Sequence, residues 1–238
     1  MESAVEGALE RLGDVLAGVK ADVSDYCSHC YSEQDAAALA GPVASIPSHL
    51  LPSVALEVPD HFGDFANLYK KLTPRIMALL VHDDLHVDEE LVAERLVEVG
   101  CWSAWAEDER AAMLALCNVW WEATLSSYPR QPEARVVLSF LATTPVPLVH
   151  WLEVWNAQPH GPADGHAADL FLDWAPYLMG NELKVGYSET IDITADVKRW
   201  FLEDARPRLV RVPAADPRLT EYLEYLDYLE GRTGNMSS

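Results

Sequence analysis

The stretch DEELVAERLVEVG, residues 88–100, decides the fold class. Asp88 is a short acceptor placed to take the first free amides of a helix, and Glu89 and Glu90 stand beside the positive end of its dipole. Apolar residues follow at helical spacing, and Gly100 sits where a chain leaves a helix through the left-handed region.

The same grammar extends in both directions. Val5, Leu9, Leu12, Leu16 and Val19 mark one face of a first helix, and the pattern Ser32-x-x-Asp35 caps a short helix that Gly41-Pro42 stops. Ser48 opens another, with Pro52 about one turn inside and distorting it. GDFANLYKKLTPRIMALLVH, residues 63–82, reads as two abutting helices, with Thr73 as a cap and Pro74 at the first helical position. A longer helix spans 107–126 and is closed by Pro129 and Pro132; further helices fit 133–143, 146–157, 164–179, 195–205 and 217–230. Only KVGYSETIDIT, residues 184–194, has the alternation of a short hairpin. The expectation is an all-α fold of antiparallel helix pairs, either a HEAT-like or irregular α-α superhelical array or a compact bundle. It occupies residues 1–238 as a single all-α domain with a soft boundary near 128–133.

Half of the 238 residues are hydrophobic, enough to bury a core without metal or disulfide staples. The formal net charge is -21, and residues 1–119 hold 7 basic against 21 acidic side chains, leaving 10 and 17 for the remainder. Such a field repels phosphate backbones and anionic membranes and draws in basic proteins. The expected partner is therefore a protein, with no nucleic acid and no membrane. An acidic, amphipathic N-terminus and the lack of any apolar run near about 20 residues point to a cytoplasmic location.

The sharpest chemical feature is DYCSHCYSEQD, residues 25–35. Cys27 and Cys30 have the spacing that lets two thiolates converge on zinc, but the second ligand pair of a complete site is missing. His29, His61, His82, His86 and Cys101 are the candidates to complete it. A redox dithiol would need an apolar strand before the first cysteine, and VKADVSDY is polar. Inert packing is the third reading. The other two cysteines are Cys101 and Cys117.

Trp102 with Trp105, Trp120 with Trp121, and Trp151 with Trp155 cluster on helices, where the spacing favours core over interface. HDDLHVDEE, residues 82–90, lacks the glycine and spaced ligands of a calcium loop and reads as a solvated helix start. The excess of cations at Lys198, Arg199, Arg206, Arg208 and Arg211 reads as an intramolecular counterweight to the acidic first half. No G-x-S-x-G, H-E-x-x-H, phosphate-loop or dinucleotide motif occurs, so no catalytic residue is assigned.

The order of features resembles an uncharacterised bacterial family of all-helical proteins with an N-terminal C-x-x-C pair. It is carried by Cys27 to Cys30, by FGDFANLYKKLTPRIMALL, by VDEELVAERLVEVGCWSAW and by VWWEATL, mostly within residues 26–125. Ser28 stands where that family commonly has proline. The resemblance implies a helical fold and carries over no activity. The leading functional expectation is a non-enzymatic interaction or adaptor module that presents an acidic surface to a basic or mixed-charge protein. Its specific form is an immunity protein or nucleic-acid mimic that neutralises a basic nuclease or toxin. The rival is a metal- or thiol-dependent enzyme centred on Cys27 and Cys30, with zinc as the cofactor, and a third reading is a subunit of a homo-oligomer.

Overall fold

A computed structural model describes residues 2–212 and 217–234. The helices are α1 (Glu2–Leu16), α2 (Glu33–Ala40), α3 (Leu50–Ala55), α4 (Phe65–Val81), α5 (Glu89–Glu98) and α6 (Glu107–Leu125), followed by α7 (Ala134–Ala142), α8 (Leu148–Asn156) and α9 (Pro162–Gly180). After the strands β1 (Lys184–Val185) and β2 (Ile191–Asp192) come α10 (Thr194–Trp200), α11 (Arg206–Leu209) and α12 (Pro217–Gly234). The strands form one antiparallel hairpin with Val185 opposite Ile191, and the fold is all-α apart from it among the described residues. No described helix is long and apolar enough to cross a membrane.

The chain divides into two compact units, residues 1–123 with 143–145, and residues 124–142 with 146–238. In the first, α4 is the hub, packed against α1, α3 and α5. The apolar stripe of α1, Val5, Leu9, Leu12 and Leu16, is buried, and Val19 lies beyond the helix end. In the second unit, Trp155, Trp200, Phe201 and Phe171 form a run of rings, with successive centroids 4.9, 4.8 and 4.7 Å apart.

Local signals act as read. Ser32 Oγ accepts from the Asp35 amide while Asp35 Oδ2 accepts from the Ser32 amide, the reciprocal capping box of α2. Asp88 Oδ1 accepts from the amides of Glu90 and Leu91. Gly100 has φ +75°, its amide donates to Val97 O, and the Cys101 amide donates to Leu96 O, which closes α5 in a Schellman motif. One expectation differs: Ser48 does not open α3, whose N-cap is His49, and Pro52 falls in the first turn, where its missing amide is least felt, instead of distorting the helix one turn inside.

The stretch 63–82 corrects the expectation of two abutting helices: α4 runs unbroken through Pro74. Thr73 is fully buried, and its hydroxyl donates back to Tyr69 O instead of capping a new helix. An interior proline costs about 3 kcal/mol. Ile76, Met77, Leu80 and Val81 beyond it are all buried on the face shared with Leu68, Tyr69 and Leu72. At about 1.5–3 kcal/mol for each large buried side chain, keeping that face continuous outweighs the proline.

Two cations of α4 tie down the irregular chain before α3. Lys71 Nζ donates to Leu39 O and Gly41 O, each at 2.8 Å, and covers the free carbonyls at the end of α2. Arg75 donates to Val43 O and Ile46 O. Tyr69 Oη donates to Ala55 O at 3.2 Å, which pins the end of α3 just before Glu57.

Candidate metal centre

The C-x-x-C segment is held between a strand-like bridge and a helix cap. Tyr26 pairs antiparallel with Phe62; the Cys27 amide donates to His61 O and the Gly63 amide to Asp25 O, both at 2.8 Å. The approach is close enough that a Cβ on Gly63 would lie 2.7 Å from Asp25 Oδ2 and 3.1 Å from Asp25 Cβ. On the other side the amides of Cys30 and Tyr31 both donate to Cys27 O, and the chain enters the capping box of α2.

This packing brings a histidine to the cysteines. Cys27, Cys30 and His61 offer donor atoms that all lie within 4.8 Å of one another, the one such group of three potential ligands among the described residues. Zinc–sulfur bonds of about 2.3 Å at the tetrahedral angle put two sulfurs about 3.8 Å apart, whereas a disulfide holds them at about 2.05 Å. The Sγ atoms of Cys27 and Cys30 stand 3.7 Å apart, a free thiol pair at a separation close to that tetrahedral edge length.

The electrostatics separate the two thiols. The amides of Cys30 and His29, and then the Cys30 thiol, donate toward Cys27 sulfur and hold its pKa below the usual cysteine value. The Cys30 thiol is raised, first because it donates to Cys27 and then by burial. Of the two, Cys27 is therefore the readier to ionise to the thiolate, the form that binds metal.

His61 is tied to Glu57 one helical turn earlier. Its Nδ1 lies 2.7 Å from Glu57 Oε1, an ion-pair distance without hydrogen-bond alignment, so Nδ1 is buried with no well-formed hydrogen bond. Glu57 Oε1 also accepts from the Val58 amide at 2.9 Å, and Oε2 accepts from Tyr31 Oη at 2.6 Å. Tyr31 is buried, its ring centroid 4.8 Å from that of Phe62. Burial, and then the Glu57 carboxylate, push the Tyr31 hydroxyl far above the usual tyrosine value, so it stays a donor.

Of the five candidates to complete a site, His61 alone joins the pair among the described residues. His82 contacts Glu6 at 3.0 Å, and His86 has a left-handed backbone with φ +54°. His29 is exposed, and Cys101 is buried with its thiol pushed up by burial. Cys117 is likewise buried, its thiol pushed up by burial to about 12. Glu57 and Tyr31 were not among the sequence candidates, although an i, i+4 Glu57/His61 pair and a tyrosine directly after the second cysteine are visible in the chain.

The remaining features are structural. Trp105, Trp120, Trp121, Trp151 and Trp155 are buried core residues, and Trp102 is half-buried. Of the basic segment, read as a counterweight to the acidic first half, Arg208 and Arg199 find their counter-charges within the second unit instead. Arg208 pairs with Asp164 at 2.8 Å and donates to Trp155 O, Asn156 O and Gln158 O, while Arg199 pairs with Asp196. A buried guanidinium needs its counter-charge in contact, and α9 supplies it. No family model, curated protein or solved structure matches the chain.

Proposed function

We propose that the protein is a metal-binding protein whose first unit holds zinc through Cys27, Cys30 and His61. The observation that carries this reading is the convergence of two sulfurs 3.7 Å apart with a histidine from 31 positions beyond Cys30, brought there by the Tyr26–Phe62 bridge. A donor set of two thiolates and one imidazole suits zinc among the common divalent ions. Three protein ligands leave the fourth place to water or an added donor, the arrangement of zinc centres that act as Lewis acids. Metal binding would also clip the segment before α2 to the one before α4, coupling occupancy to the stability of this unit.

The test is metal analysis of protein purified without added zinc, followed by cobalt substitution. One equivalent of zinc is expected, with thiolate-to-cobalt charge-transfer bands lost in Cys27→Ser, Cys30→Ser and His61→Asn. Absence of stoichiometric metal, together with failure to take up cobalt, would remove the reading.

A second reading, an acidic adaptor for a basic protein partner, is favoured by α1. Glu2, Glu6, Glu10 and Asp14 are all exposed and recur every fourth residue, against Arg11 as the one basic residue of the helix. Like charges at this spacing destabilise a helix by a few tenths of a kcal/mol per pair, and a cationic partner would relieve them. A basic nuclease or toxin is the specific version. Association that is insensitive to ionic strength, or unchanged when the four acids become amides, would count against it.

A further inference from the structure

We propose that Glu57 is the positioning residue of the metal centre, holding His61 by Nδ1 so that Nε2 is the atom presented to the ion. The inference rests on the metal-binding reading above. Both carboxylate oxygens are committed: Oε1 to the Val58 amide and to the Nδ1 face of His61, Oε2 to the Tyr31 hydroxyl. Glu57 therefore cannot become a ligand without abandoning three neighbours, and its side chain is only 13% exposed.

The arrangement closes on itself through the chain. Tyr31 directly follows Cys30, so the residue after one ligand grips the carboxylate that faces another. Phe62 directly follows His61, stacks near Tyr31 and bridges Tyr26, the residue before Cys27. The buried Nδ1 makes no aligned hydrogen bond as it stands, and Glu57 Oε1, 2.7 Å away, is the carboxylate oxygen placed to take its proton when the ring turns onto an ion. A carboxylate in that role fixes the imidazole tautomer and makes the distal nitrogen a better donor, and its loss typically lowers metal affinity 10–100-fold.

The experiment measures zinc affinity by competition with a chromophoric chelator, alongside cobalt absorption spectra, for the full chain and for Glu57→Gln, Glu57→Ala, Glu57→Asp and Tyr31→Phe. Glu57→Gln and Glu57→Ala are expected to bind zinc about 10–100-fold more weakly, with altered cobalt ligand-field bands and unchanged metal-free far-UV circular dichroism. Glu57→Asp recovers part of the loss, and Tyr31→Phe shows a smaller one. Affinities within twofold of the parent, with identical cobalt spectra, would overturn the positioning role while leaving the metal centre intact. A parent chain that takes up no metal removes both. Should the Glu57 variants not fold, long-range proton–nitrogen NMR of the zinc-loaded parent decides: coordination through Nε2 with Nδ1 protonated is expected, and coordination through Nδ1 refutes the inference.

Discussion

Replacing Asp164 by Asn tests whether the second unit depends on a buried charge pair. Arg208 and Asp164 have side chains only 6% and 8% exposed and meet at 2.8 Å. The guanidinium also donates to Asn156 O and Gln158 O at 2.7 Å and to Trp155 O at 3.2 Å, so it anchors the turn between α8 and α9 as well as α9 itself. Removing one partner of a buried pair costs about 3–5 kcal/mol because the other charge is left uncompensated. Three carbonyl dipoles remain around Arg208, and Asn keeps an acceptor oxygen, which places Asp164→Asn at about 3 kcal/mol, the lower end. The measurement is urea unfolding followed by circular dichroism for Asp164→Asn, Arg208→Met and the double variant, with a coupling energy of about 1.5–3 kcal/mol expected. Burial alone would raise the Asp164 pKa, but the Gly161 amide, Arg208 and His160 outweigh it and hold the carboxyl below its usual value. Its contribution is therefore present above about pH 4, the unfolded value, and is lost as pH falls through the lower folded one. A single variant within about 0.5 kcal/mol of the parent, the range of ordinary surface substitutions, would refute the argument.

His166 is buried, donates through Nε2 to Ser127 O at 2.8 Å, and has its pKa lowered by burial against the pull of the Ser127 and Thr124 carbonyls. The neutral ring is the stable form, so this contribution is complete above about pH 6.5 and lost as pH falls through the lower folded value; His166→Gln should unfold with a shallower loss between pH 7 and 5 than the parent. Gly63→Ala sets a Cβ against Asp25 and should lower stability by about 1–3 kcal/mol and weaken zinc binding with it, since the same bridge registers His61 on Cys27. Adding Asp25→Gly should restore both properties, and failure to do so would dissociate the bridge from the site. In metal-free native protein at pH 8, Cys27 and Cys30 should react with a thiol reagent while buried Cys101 and Cys117 react only after denaturation; simultaneous reaction of all four would contradict their burial.

Sequence reading was sound at three helix ends whose deciding partners sit within one helical turn. The Ser32/Asp35 box, the Asp88 cap and the Gly100 exit each depend on groups a few residues apart, so residue type and spacing specify them directly. Helical periodicity likewise identified the buried faces of α1 and α5 and the tryptophan core, because burial follows from placing apolar residues on one face.

Three matters needed the tertiary structure. Pro74 looked like a helix start because its local preference is to begin a helix, yet α4 continues through it under the burial of the residues on either side. His61 could not be chosen over His29, His82, His86 or Cys101 from spacing, because the choice is made by a backbone bridge between segments 36 residues apart, Tyr26 and Phe62. Arg208 finds Asp164 across 44 residues, where sequence showed only a local excess of cations. Short-range preferences are written residue by residue along the chain, whereas a ligand set or a buried ion pair exists only once packing has brought distant segments into contact.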